Sequence, residues 1–177
     1  FLLSALLAVA SFSGCSSHNA MNLRCEYLDN PIGIDEAAPR FTWIVPAGSH
    51  GKYVVEVAKS EQALNDRNFI WRSQPLQTEE LSTIYDGAPL KSHTRYAWRV
   101  VTDGHPSKTA TFETAKMHPD HWEASWITDR NDKEFEPAPM LRKEFTLDKV
   151  PENARAYISA AGYYVLYING KRVGDSH

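Results

Sequence analysis

Four groups of residues in this sequence carry side chains with chemistry to offer, and their spacing limits what each can do. Cys15 stands in Ser11-Phe12-Ser13-Gly14-Cys15-Ser16-Ser17 behind the apolar run Leu2 to Val9, where a thiol could take lipid after signal cleavage. Asp35-Glu36 and Glu79-Glu80 are paired carboxylates, the residue type that acid and base catalysis at a glycosidic bond requires. That chemistry needs two carboxyls facing each other across a sugar, roughly 6.5 to 9.5 Å apart for inversion and about 5 Å for retention. Chain neighbours diverge, so both pairs read as solvated loop charges and no catalytic residue is assigned. His118, Asp120 and His121 supply two imidazoles and one carboxylate in a linker, short of the four ligands of a closed zinc site, and no metal is assigned. Trp43, Tyr53, Trp71 and Tyr85 could stack on sugar rings. Trp43 lies in Phe41-Thr42-Trp43-Ile44-Val45, however, and sandwiches bury such side chains between their sheets, so core packing is the expectation for all four.

Other chemistries lack their residues. The sequence has no Gly-rich phosphate loop, no Gly-x-Ser-x-Gly elbow and no helix bearing paired His ligands. No cofactor is implied. Lys and Arg number 19 against 22 Asp and Glu, a net charge of -3, with the signs interspersed and no basic block to neutralise phosphates. Nucleic acid is therefore excluded as the expected partner.

The first 23 residues contain no Asp, Glu, Lys or Arg. Their apolar run falls short of the roughly 20 residues a membrane-crossing helix needs, which makes it a signal-peptide core. Ser13 and Gly14 directly before the cysteine favour a lipoprotein signal over an ordinary secretory one with an incidental Cys15, although Phe12 stands where Leu is usual. The expectation is a signal and leader over 1–21, and an exported protein held to a membrane through lipid on Cys15. The missing Met and basic leader read as a chain incomplete at its front. With Cys15 lipidated, Cys25 has no disulfide partner, and its alternation with Leu23 and Tyr27 places it in a core.

These residues must be positioned by strands. Short runs of period-two alternation near 23–28, 40–45, 53–59, 69–73, 81–86, 94–103 and 108–114 are separated by Pro, Gly, Asn and Asp clusters. Seven strands over 22–115 are spaced as in a β-sandwich of about 100 residues, and Leu90, Thr94 and Tyr96 resemble the sixth strand of a fibronectin type III domain in their spacing, which implies a fibronectin type III-like β-sandwich. Ser60 to Asn65 is a single helical turn in a loop. In Thr94-Arg95-Tyr96-Ala97-Trp98-Arg99-Val100-Val101, Tyr96, Trp98 and Val100 share one face and Arg95 and Arg99 the other, so one face is expected to be buried. A Tyr at the start of this strand is expected to bond its hydroxyl to upstream backbone.

A polar, proline-containing linker over 116–121 precedes a second alternating segment, 122–177. Strands are expected near 139–147, 153–160 and 163–168, the last closed by an Asn169-Gly170 type I′ turn. That is too few strands to close a sandwich. The segment reads as the start of a second, incomplete jelly-roll-type β-sandwich, and the whole chain as all-β.

Three segments in this order resemble the amino-terminal region of bacterial α-L-rhamnosidases of glycoside hydrolase family 78. The first runs from Leu23-Arg24-Cys25-Glu26-Tyr27 through Asn30-Pro31-Ile32-Gly33-Ile34-Asp35 to Pro39-Arg40-Phe41-Thr42-Trp43. The second is Arg95-Tyr96-Ala97-Trp98-Arg99-Val100 with Phe112-Glu113-Thr114. The third joins Trp126-Ile127, Pro139-Met140-Leu141-Arg142-Lys143-Glu144-Phe145, Ile158-Ser159-Ala160-Ala161-Gly162-Tyr163-Tyr164 and Tyr167-Ile168-Asn169-Gly170-Lys171-Arg172-Val173-Gly174-Asp175. The resemblance implies a fibronectin-like domain, then a β-sandwich that binds L-rhamnose in some relatives, then an (α/α)6 barrel carrying acidic catalytic residues that act by inversion. None of that barrel is in this sequence. The implied partner is a rhamnose-containing glycan engaged through the full-length protein, with no sugar-binding residue assigned here. The alternatives are a stand-alone carbohydrate-binding or adhesion lipoprotein, and a different exoglycosidase sharing these accessory sandwiches.

Overall fold

The computed structural model describes residues 19–48, 51–77, 79–118, 123–129, 139–151 and 153–174. Contacts divide the chain into two units, Phe1–Ser125 and Trp126–His177. Cys15, residues 119–121 of the expected linker and Trp122 after it lie outside the described residues, and so does Asp175.

In the first unit the period-two runs become strands. They are β1 (Met21–Cys25), β2 (Ile32–Ile34), β3 (Arg40–Ile44), β4 (Tyr53–Ala58), β5 (Trp71–Arg72), β6 (Ser82–Ile84), β7 (Arg95–Thr102), β8 (His105–Pro106) and β9 (Ala110–Thr114). One sheet has the order β1-β3-β6; the other runs β2-β9-β7-β4-β5, with β8 also on β7. Inward side chains of both sheets meet in one core, where Phe41 of β3 lies 4.5 Å, ring centre to ring centre, from Trp98 of β7. Phe112 packs edge-on to Phe41 and stacks on Tyr96. All seven expected strands are present.

Two strands lie outside the seven, the two-residue β8 and, of more consequence, β2, which was not legible. It has three residues with Gly33 at its centre and pairs in parallel with β9. So short a run, with a glycine where a side chain would show the alternation, carries no periodic signal. Its place is fixed instead by bonds from Glu113 N to Pro31 O at 2.9 Å and from Ala115 N to Ile34 O at 2.7 Å.

The first expected strand ends early. Cys25 and Leu28 exchange two backbone bonds of 3.0 Å around Glu26 and Tyr27, both in the left-handed region at φ 49° and 62°, so the chain reverses there. Such a turn ordinarily asks for Asn-Gly. Here the Glu26 carboxylate accepts the Arg40 N–H at 2.5 Å, and the Arg24 guanidinium donates to Tyr27 O at 3.1 Å. Tyr27 consequently points outward, 62 % exposed, and does not share the core face with Leu23 and Cys25.

The large sheet is also covered on its outer face, against the expectation of one buried face for β7. The helix α1 (Glu61–Asn65), capped by the Ser60 hydroxyl accepting Ala63 N–H at 3.1 Å, lays Leu64 over Ala58 and Ala97. Ala97 and the whole of β4 are thereby buried.

The tyrosine lock is present. The Lys91 N–H donates to the Tyr96 hydroxyl at 2.9 Å, and beside it Thr114 Oγ1 donates to Lys91 O at 2.5 Å. Replacing Tyr96 with Phe keeps the ring but leaves a part-buried N–H without its acceptor, which costs about 1–3 kcal/mol. Urea titration of Y96F is expected to show that loss with an unchanged slope; an unchanged midpoint would dismiss the lock.

In the second unit, β10 (Leu166–Ile168) and β11 (Lys171–Val173) form a hairpin around Asn169-Gly170, whose φ of 51° and 74° fit the type I′ turn read from the sequence. The other two expected strands do not form. Described residues in 139–151 and 153–160 adopt no strand, and Met140, Phe145 and Val150 are largely exposed. A strand requires a neighbour for its backbone groups and a second layer for its apolar face. The described residues of this unit offer only the hairpin.

Candidate functional site

The aromatic residues that could have stacked on sugars are core residues. Trp43, Tyr53, Trp71 and Tyr85 are all buried, and their rings pack in pairs, Trp43 against Tyr53 and Trp71 against Tyr85. Two of them use their polar atoms internally, whereas the buried Trp43 Nε1 has no hydrogen-bond partner. Trp71 Nε1 donates to Asp86 Oδ1 at 2.5 Å, and the Tyr85 hydroxyl donates to Ala88 O at 2.6 Å. Burial, then the neighbouring Tyr96 and Asp86, pushes the Tyr85 phenol above its usual range, so it stays a neutral donor. The loop between them passes so close that a Cβ on Gly87 would lie 2.7 Å from the Tyr85 ring and 2.8 Å from Trp71. No aromatic of the four presents a face to solvent.

The paired carboxylates do not converge into acid and base. Asp35 and Glu36 are exposed after β2, with Glu36 Oε1 turned back to accept Ala38 N–H at 3.2 Å. Glu79 and Glu80 are exposed before β6. His118 is exposed, while Asp120 and His121 lie outside the described residues. Among the described residues no group of three or more His, Cys, Asp or Glu could hold a metal ion. The Cys25 thiol is buried and, chiefly through that burial and then the Glu26 carboxylate, pushed up to about 12. It remains protonated at neutral pH and is a poor nucleophile.

The electrostatic centre of the first unit is one the sequence reading passed over. Glu56, on the outer face of β4 and nearly buried, takes Arg72 Nε at 3.1 Å on one oxygen and Arg99 Nε at 2.8 Å on the other. Arg99 also donates to Asn65 Oδ1 and to Leu64 O, tying α1 to the sheet. A glutamate inside Tyr53-Val54-Val55-Glu56-Val57-Ala58, in register with Arg99 on the next strand, was the available signal. Both oxygens of the carboxylate and all three nitrogens of the Arg99 guanidinium are engaged within the fold, so the chemistry of this triad is structural.

In the second unit the hairpin sets Tyr167 directly opposite Arg172, with Leu166 opposite Val173. Arg142 and Glu144 form an exposed ion pair.

Two families match this chain in succession. Residues 20–118 match "Rha78A-like, N-terminal immunoglobulin domain", and residues 149–177 match "Alpha-L-rhamnosidase N-terminal domain". An α-L-rhamnosidase of Formosa agariphila is 29% identical over 96% of this chain and 22% of its own length. One from Streptomyces avermitilis is 32% identical over 65% of this chain and 12% of its own length. Among solved structures, α-L-rhamnosidase from Dictyoglumus thermophilum superposes with a TM-score of 0.56 at 28% identity, covering 63% of this chain and 14% of that one. The Streptomyces avermitilis α-L-rhamnosidase complexed with L-rhamnose gives 0.54 at 31% identity, over 62% and 12%. This chain thus spans about a fifth of the length of the first of these relatives.

Proposed function

The chain belongs to the family of Rha78A-like N-terminal immunoglobulin domains, and from that membership we propose that it is the non-catalytic front portion of an exported α-L-rhamnosidase. The observation that carries the reading is the order of the two family matches along one chain, at 20–118 and then 149–177. The whole protein would hydrolyse terminal α-L-rhamnosyl residues of a rhamnose-containing glycan. One carboxylic acid would protonate the leaving oxygen while a second carboxylate activates water. Exposed, separately placed Asp35-Glu36 and Glu79-Glu80 support assigning those two groups to other parts of the protein.

The signal-like front supports export with a lipid on Cys15. A tether to a membrane would keep the hydrolase at high effective concentration near glycans on the same surface. The sandwich, with its single aromatic core between two sheets, would serve as a rigid spacer in that arrangement.

One experiment separates the parts of this proposal. The reading frame is expressed whole and as the 177-residue chain, each with and without C15S, and assayed on an aryl α-L-rhamnoside and for fatty-acid labelling. Turnover is expected from the whole protein only, and labelling is expected to vanish with C15S. Turnover by the 177-residue chain, or a stop codon shortly after His177, would overturn the enzyme-front reading; labelling that survives C15S would overturn the anchor alone.

A further inference from the structure

We infer that Ser73 and Ser107 are a matched pair of latches that set the register of the large sheet on both sides of its central strands. The two centre on one rung. Val55 of β4 and Val100 of β7 are cross-strand partners, both wholly buried. On the β5 side, Ser73 N donates to Val55 O at 2.9 Å, but the return bond from Val55 N goes to the serine hydroxyl, Oγ, at 2.9 Å. On the opposite side, Ser107 N donates to Val100 O at 2.8 Å, and Val100 N returns to Ser107 Oγ at 3.1 Å. Each hydroxyl then donates to the carbonyl of the following residue, Gln74 O at 2.9 Å and Lys108 O at 2.8 Å.

The side chain takes the carbonyl's place because the chain has one residue too many on each flank. Between the rung at Val55 and the bridge at Tyr53, β4 advances two residues while its partner advances three, from Ser73 to Leu76. Between Val100 and Trp98, β7 advances two while its partner advances three, from Ser107 to Ala110. These are β-bulges, in which the surplus residue bends the flank and disrupts the ladder. A backbone carbonyl swung out by the bend cannot receive the central N–H. The hydroxyl can, and it uses its own proton on the next carbonyl, so the N–H groups of Val55 and Val100 both keep an acceptor.

Register is what the device protects. Moving β9 by one residue along β7 would turn Phe112 out of the core and bring Thr111 and Glu113 in, since neighbouring residues face opposite ways. A serine is suited to both positions: it is small enough for a core-facing site and carries both an acceptor and a donor. Ser73 and Ser107 are each nearly buried.

The test is amide exchange measured residue by residue on the full chain. In S73A, exchange at Val55 is expected to accelerate at least about tenfold while Val100 keeps its rate, and S107A is expected to do the reverse. S73T retains the hydroxyl and is expected to keep Val55 protected, whereas the equally shaped S73V is not. Unchanged exchange at Val55 in S73A would overturn the inference. So would equal behaviour of the Thr and Val variants, whether both protect or both fail to fold, because size and not the hydroxyl would then be decisive.

Discussion

Trp98→Ala is expected to remove about 3–5 kcal/mol from the first unit, a large part of the roughly 5–15 kcal/mol that holds a typical domain together. Trp98 is wholly buried on β7 and tilts against Phe41 across the two sheets. Its Nε1 has no hydrogen-bond partner. The indole therefore contributes through shape and contact area, and truncation creates a cavity without breaking a polar bond. Trp98→Phe fills much of that space and deletes the unpartnered N–H, so it is expected to cost less than half as much. Denaturant midpoints of the two variants decide the matter. A loss below about 1 kcal/mol in W98A would show that the sheets close over the gap, contrary to the limited relaxation of packed cores.

Glu56→Ala is expected to cost about 3 kcal/mol, the second largest effect, for the opposite reason. The carboxylate is nearly buried and shared by two guanidiniums, one of which, Arg99, has a side chain only 14% exposed. Removing the anion leaves Arg99 largely shielded from water with its charge uncompensated, and loosens its hold on the end of α1. Arg72 is different: half of its side chain is in solvent, so R72M is expected to lose at most about 1 kcal/mol. Replacing Glu56 by Leu and Arg99 by Met together is expected to recover most of the loss, because a buried ion pair and an apolar pair of similar volume are often close in stability. Additive single and double losses in the cycle would contradict the coupling.

What could be read from the sequence divides along one physical line. Wherever a strand is central and long enough to show alternation, as in Phe41-Thr42-Trp43 and Tyr96-Ala97-Trp98, its place and inward face were legible. The lock on Tyr96 was legible too, since it depends on a local spacing. Features decided by distant partners were not. The reversal at Glu26-Tyr27 depends on Arg40, fourteen residues on, and the burial of Ala97 depends on α1. The runs over 139–147 and 153–160 have strand-like alternation, but alternation makes a strand only when partners and a second layer exist to receive it. At the candidate site, Asp35-Glu36 and Glu79-Glu80 read as solvated loop charges, and all four are exposed. The Glu56 triad was missed because three separate strands and α1 assemble it.

The parallel pairing of β2 with β9 has a mechanical consequence. Once β1 has come away from β3, tension reaching β2 from the front of the chain and β9 from behind pulls two side-by-side strands in opposite senses along their own axes. Force is then shared at once by the bonds from Glu113 N to Pro31 O and from Ala115 N to Ile34 O, which must shear together. An antiparallel hairpin pulled at its open end would unzip bond by bond. A patch of three residues, too short for the eye to find in the sequence, is thus where this sandwich would resist being stretched.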